Sequence, residues 1–200
     1  MKLTKKYTSL LEAIEKNSDS RLRTVQALDW YRKKILEYFG SKNIDARTIY
    51  GSNRTKKRFI PGDIVTFRYK PKLKDVLPYY DTYPLVLILK IIPGGFIGLN
   101  FHYIDPRSRA YFMDVLYDYL KYYAQSKELK INITYDKLAN TPRLSYYRPC
   151  IKRYLNSNIG NMFYILSPDE WNIALFLPTE SFVKETKEEV WGESKKIIGK

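Results

Sequence analysis

One cysteine and one histidine in two hundred residues leave little room for several common chemistries. A lone Cys150 excludes an intramolecular disulfide and a multi-thiolate zinc site, and makes a reducing cytosol the expected place of folding. Scattered carboxylates around a single His102 show no metal-ligand spacing. No apolar stretch approaches the roughly 20 residues that cross a bilayer, and no apolar run follows Met1-Lys-Leu-Thr-Lys-Lys, so neither a signal peptide nor a membrane partner is expected. There is no Walker-type loop. Gly94-Gly-Phe-Ile-Gly98 has only the glycines of a phosphate cradle and lies between two strand-like runs, where a hairpin turn explains it better.

Positive charge and tyrosine are abundant. The formal charge is +14, and 19 Tyr stand against 9 Phe and 3 Trp. Residues 1–60 hold 15 Lys/Arg against 6 Asp/Glu, whereas residues 161–200 hold 5 against 7. A basic amino-terminal third implies a polyanion or an acidic protein surface as neighbour. Tyr combines an apolar ring with a polar tip and suits half-buried surfaces and interfaces, although AT-rich codon usage also enriches it.

Punctuation along the chain divides it into a basic helical arm (1–59), an α+β core (60–180) and a charged carboxy-terminal helix (181–200). Leu10, Leu11 and Ile14 fall at helical spacing, and Leu22, Val25, Leu28, Ile35, Leu36 and Phe39 mark a second, longer helix stopped by Gly40. Residues 63–69 alternate as a half-buried strand should, and 84–92 read as a central strand. Pro93-Gly94-Gly95 turns the chain into a hairpin partner over 96–103, with Gly98 marking a bulge or a close backbone approach. Asp105-Pro106 is a capped helix start; that helix is expected to reach residue 123, with a short strand at 129–133 beyond it. A helix is predicted over 149–155, a strand pair over 162–166 and 172–177, one helical turn between them, and a peripheral helix carrying Trp191 over 181–197. Two β pairs around a helix indicate a small SH3-like or mixed β-barrel core elaborated by amino-terminal, central and carboxy-terminal helices.

No catalytic constellation emerges. His102 with Asp105 is the nearest approach to a base and its orienting carboxylate, but Asp105 is accounted for as an N-cap and no Ser or Cys is tied to the pair. Asp114 and Asp118, one turn apart, fit a solvated helix face. The polyanion candidates are Arg54, Lys56, Lys57 and Arg58, extended by Arg107, Arg109, Arg148, Lys152 and Arg153 if folding brings them together. Tyr79, Tyr80 and Tyr83 in the Pro/Tyr loop offer base stacking or rigid protein contact. Together with Phe96 they form the expected protein interface.

The segments Leu77-Pro-Tyr-Tyr-Asp-Thr-Tyr-Pro-Leu-Val, Gly95-Phe-Ile-Gly-Leu-Asn-Phe-His-Tyr, Pro149-Cys-Ile-Lys-Arg-Tyr-Leu and Trp171-Asn-Ile-Ala-Leu-Phe-Leu-Pro resemble a family encoded by large contractile-tailed bacteriophages of the T4-like kind. The resemblance spans roughly residues 60–192. It implies a virion or baseplate component, or a protector of DNA ends, with no cofactor and no catalytic residue to carry over. Gly62-Asp-Ile-Val followed by Pro84-Leu-Val-Leu-Ile is also similar to the opening of small-barrel ribonuclease toxins, a likeness of fold rather than of activity. The leading expectation is a non-enzymatic virion or assembly protein of the tail, baseplate or neck, held by other phage structural proteins in a larger assembly built in the host cytoplasm. The alternative is a DNA-binding protein that caps or protects genome ends.

Overall fold

The computed structural model describes residues 55–56, 58–106, 108–109, 111–113, 146–160, 162–166, 170–175, 177 and 179–198. The two predicted amino-terminal helices, the strand at 129–133 and the later part of the helix begun at Pro106 lie outside the described residues. Among the described residues eight strands are seen: β1 (Thr55–Lys56), β2 (Ile64–Thr66), β3 (Tyr80–Asp81), β4 (Leu85–Ile92), β5 (Gly95–Asn100), β6 (Ile151–Leu155), β7 (Phe163–Leu166) and β8 (Phe182–Val183). Two helices follow in the carboxy-terminal part, α1 (Trp171–Ala174) and α2 (Lys187–Ile198).

Six strands form one antiparallel sheet in the order β1-β7-β2-β4-β5-β6, and β3 pairs with β8 in a separate ladder. The α+β class holds. The expected barrel does not: β1 and β6 stand at opposite edges of the described sheet, which is open.

Burial on both faces over residues 85–89 explains the apolar run at the start of β4, which Lys90 ends. Ile64, Leu85, Leu87 and Leu99 point into one core cluster with Phe101, Phe112, Trp171 and Val190. Val65, Val86, Ile88, Phe96, Tyr154 and Phe163 point into the other. Each such side chain contributes about 1.5–3 kcal/mol when fully buried. For the same reason β2 is not half-buried as its alternation suggested: Ile64, Val65 and Thr66 are all covered.

The hairpin of β4 and β5 turns at Gly94, whose φ of 74° is a left-handed conformation that glycine adopts without strain. Register shifts between Ile88 and Lys90, opposite Gly98. A Cβ on Gly98 would collide with the Val86 side chain, and would lie 2.9 Å from the Leu87 carbonyl oxygen. The close approach anticipated for this glycine is therefore real, and the bulge sits on the facing strand.

Three local expectations are overturned. The carboxy-terminal helix expected from residue 181 starts only at Lys187 as α2, because residues 182–183 are drawn into pairing with β3 as β8. Residues 149–155 are not helical: a single 3-10 turn (Arg148–Cys150) leads into β6, which pairs with β5 from Leu99↔Ile151 to Gly95↔Leu155. Edge pairing of a short Ile- and Tyr-bearing segment outweighs a helical spacing too brief to nucleate on its own. The predicted 162–166/172–177 strand pair is absent as well. β7 instead pairs with β1 and β2, and residues 171–174 extend the expected helical turn as α1.

Candidate nucleic-acid interface

A cleft of about 590 Å³ opens beside β6, between the loop leading to β3 and the β5–β6 edge of the sheet. Tyr69, Tyr79, Tyr80, Tyr103 and Tyr154 supply its aromatic surface; Lys72, Lys152 and Arg153 supply its cations. The short edge pairing of β6 places Lys152 opposite Gly98 and Arg153 opposite Ile97. Lys152 is half-buried, with Nζ 4.2 Å from the centroid of the Tyr103 ring. Burial pushes its pKa below the ordinary lysine value, and nearby Cys150 only partly counters this. Arg153 and Lys72 are exposed at the rim.

The tyrosines divide by their partners. Tyr154 is buried and stacks on Phe96 at 5.1 Å, and its hydroxyl is bonded to Asn100. The Tyr69 hydroxyl accepts from the Leu155 amide at 3.3 Å. Tyr79 packs at 5.9 Å from Tyr103; its hydroxyl pKa is pushed up to about 12 by burial, with a hydrogen bond to Glu193 adding to the rise. Tyr80 precedes the buried Asp81 in β3 and is itself half-exposed.

The loop carrying these residues is clasped from the far end of the chain. β3 pairs with β8, the Thr82 amide donates to Ser181 O at 2.9 Å, and Lys184 Nζ donates to Asp75 O at 3.2 Å and Leu77 O at 2.7 Å. Lys184 holds a φ of 79°, a conformation uncommon outside glycine.

Behind the cleft lies a buried polar chain. His102, with no exposed surface, has Nδ1 2.7 Å from Asp81 Oδ2 and Nε2 3.1 Å from Thr179 Oγ1. Asp81 also accepts from Asn100 Nδ2 and the Tyr83 amide. The carboxylate facing His102 is thus Asp81, not Asp105, which accepts from the Ser108 amide and hydroxyl at the start of the next helix, as its N-cap role required. Arrangements of this kind occur in nucleophilic triads. Here the histidine is sealed beneath the surface, so the geometry locks three chain segments together.

Placement of the remaining sequence candidates is uneven. Arg109 is 1% exposed and donates to the carbonyls of Ile104 and Leu175 and to Glu180 Oε1, the last at 2.6 Å; it is a core guanidinium and cannot meet a polyanion. Phe96 is likewise withdrawn from any interface, at 0% exposure among Phe59, Phe67 and Tyr154. Tyr83 packs against the first core cluster rather than lining the cleft. Arg58 is exposed, Lys56 lies in β1 beside β7, and Arg148 is exposed before β6. Arg54, Lys57 and Arg107 lie outside the described residues. Lys152, Arg153, Tyr79 and Tyr80, assigned from sequence to two separate surfaces, meet in one cleft. Tyr69, Tyr103, Asn100 and Lys72 escaped notice because nothing local links them; they converge only through the sheet and its long loop.

Among the described residues no cluster of three or more His, Cys, Asp or Glu could hold a metal ion, and no helix is long and apolar enough to cross a membrane. The fold and the cleft define a basic α+β protein with an aromatic, cation-rimmed site suited to a polyanion that carries planar groups. Comparison with family models is more specific: residues 3–198 match the model described as Phage T4 terminal DNA protecting protein, and the chain belongs to that family. Neither the curated proteins nor the solved structures gave a match.

Proposed function

We propose that this protein binds the ends of phage DNA and shields them, acting as a stoichiometric cap and not as an enzyme. The observation that carries this reading is the convergence of Lys152, Arg153 and Lys72 with a tyrosine-lined cleft in a chain of the DNA-protecting family. Cations neutralise phosphates without regard to sequence, and aromatic faces accept any base, which is the chemistry a general end-binder needs. The basic segment of residues 1–60 adds charge for the flanking duplex.

Family membership favours this reading over a tail or baseplate subunit, the first expectation from sequence. The order β7-β2-β4-β5-β6, with a 3-10 turn (Asn156–Asn158) before β7, supports reading the core as an SH3-like meander that has stayed open. Its place of action would be the phage particle and the host cytoplasm.

The test compares linear duplex with covalently closed circular DNA of the same sequence, across a salt series, followed by exonuclease digestion of the bound DNA. End-dependent, salt-sensitive binding that slows digestion is expected. Equal affinity for both DNAs, or salt-resistant co-sedimentation with tail or baseplate intermediates in place of DNA binding, would return the protein to a structural role.

A further inference from the structure

The cleft is too small for a duplex and well sized for one small ligand, since pockets that enclose such molecules run from about 300 to 1,000 Å³. Its surface combines a sheltered cation with tyrosine rings. Lys152 lies half-buried against an aromatic ring, and no carboxylate bonds to it among the described residues. Asp81, the carboxylate at the cleft wall, is already engaged by His102, Asn100 and the Tyr83 amide. The cleft therefore presents net positive charge beside ring faces. Tyr69, Tyr79 and Tyr80 are all half-exposed, but Tyr69 is packed against Phe67 and Tyr154 and Tyr79 against Tyr103 and Phe182, whereas Tyr80 meets no other ring among the described residues; Tyr154 is buried and stacked on Phe96.

Resting on the end-binding reading, we infer that the cleft takes a single unpaired terminal nucleotide, its base against Tyr80 and its phosphate between Lys152 and Arg153. Leu73, 61% exposed on the same loop and lining the cleft, would abut the last intact base pair as an apolar wedge. A base freed from its pair costs least to extract at a duplex end, so a pocket for one nucleotide distinguishes an end from continuous DNA without reading sequence. The charge favours a nucleotide over a peptide of mixed side chains, and no base-edge readout is required of it.

The deciding experiment measures binding of the full chain to a duplex closed by a hairpin at one end and carrying, at the other, a single unpaired nucleotide with or without its base. An abasic terminal unit should bind wild-type protein about tenfold more weakly, the range expected for one base–aromatic stack. Tyr80→Ala should weaken the natural end by a similar factor and abolish the difference between the two DNAs, a non-additive cycle that marks a direct contact. Tyr80→Phe should restore it. The inference is overturned if wild-type protein binds ends well but treats natural and abasic termini alike. Loss of end preference altogether would instead sink the end-binding reading on which it rests. The abasic comparison needs no variant, so a misfolded Tyr80→Ala would not rescue the idea.

Discussion

Lys152 places its ammonium 4.2 Å above the ring of Tyr103, inside a cleft that desolvates it. Such a group is costly to the folded state and useful to a ligand, because its charge is poorly solvated until an anion arrives. Replacing it with methionine keeps the apolar stem and removes the charge. Lys152→Met should leave the melting temperature unchanged or raised while weakening DNA-end binding and lowering the salt slope by about one. A variant that loses stability and keeps its affinity would show the lysine to be structural.

The same lysine sets an alkaline limit. Its pKa is lowered by burial, so its charge disappears at a lower pH than that of a surface lysine. DNA-end affinity should fall as pH rises within the range below the usual lysine value, and the Lys152→Met protein should lack that fall. Titration of binding by fluorescence anisotropy reads it directly.

Arg109 and Glu180 form a buried pair at 2.6 Å, with side chains 1% and 5% exposed. Burial raises the Glu180 carboxyl, but Arg109, followed by His102, more than offsets this and leaves it below the ordinary value. A depressed carboxylate contributes stability that is full above its unfolded pKa and is lost as pH falls through the folded one. Melting temperature should therefore decline on acidification below about pH 4.5. Glu180→Gln should cost about 3–5 kcal/mol at neutral pH, since it leaves a buried guanidinium without its counter-charge, and should flatten the acid limb.

Gly98→Ala tests the sheet. Its methyl would enter the space held by Val86 and the Leu87 carbonyl, and strain of this kind costs about 1–3 kcal/mol. Chemical denaturation should show a reduced midpoint with an unchanged slope.

Cys150 is fully buried, and burial pushes its thiol up to about 12, against smaller opposing effects of Lys152 and Arg109. Alkylation at pH 8 should follow global unfolding and not precede it. Rapid labelling of native protein would contradict its placement in the core.

What the sequence revealed depended on how local the signal was. The β4–β5 hairpin is legible because Pro93-Gly94-Gly95 directly follows a run that is apolar but for Lys90. Asp105 was readable as a cap for the same reason. β6 was misread because its identity comes from pairing with β5 across an excursion of some fifty residues. Arg109 looked like surface charge because its four acceptors are carbonyls and a carboxylate on segments near it and near residue 175, none visible in a linear pattern. Lys152, Arg153, Tyr79 and Tyr80 stand out in the sequence by residue type alone, while their common location in one cleft required the fold.

Lys184, reaching back more than a hundred residues to the carbonyls of Asp75 and Leu77, also fixes when the cleft can come into being. β2, β4 and β5 can meet as soon as they have left the ribosome, but the clasp formed by β8 and Lys184 must wait until residue 184 has emerged, about a hundred residues after the loop it holds. A ribosome stalled at residue 170 would hold a nascent chain with the start of a sheet and no finished cleft, so the cleft would appear abruptly and not in proportion to the length made.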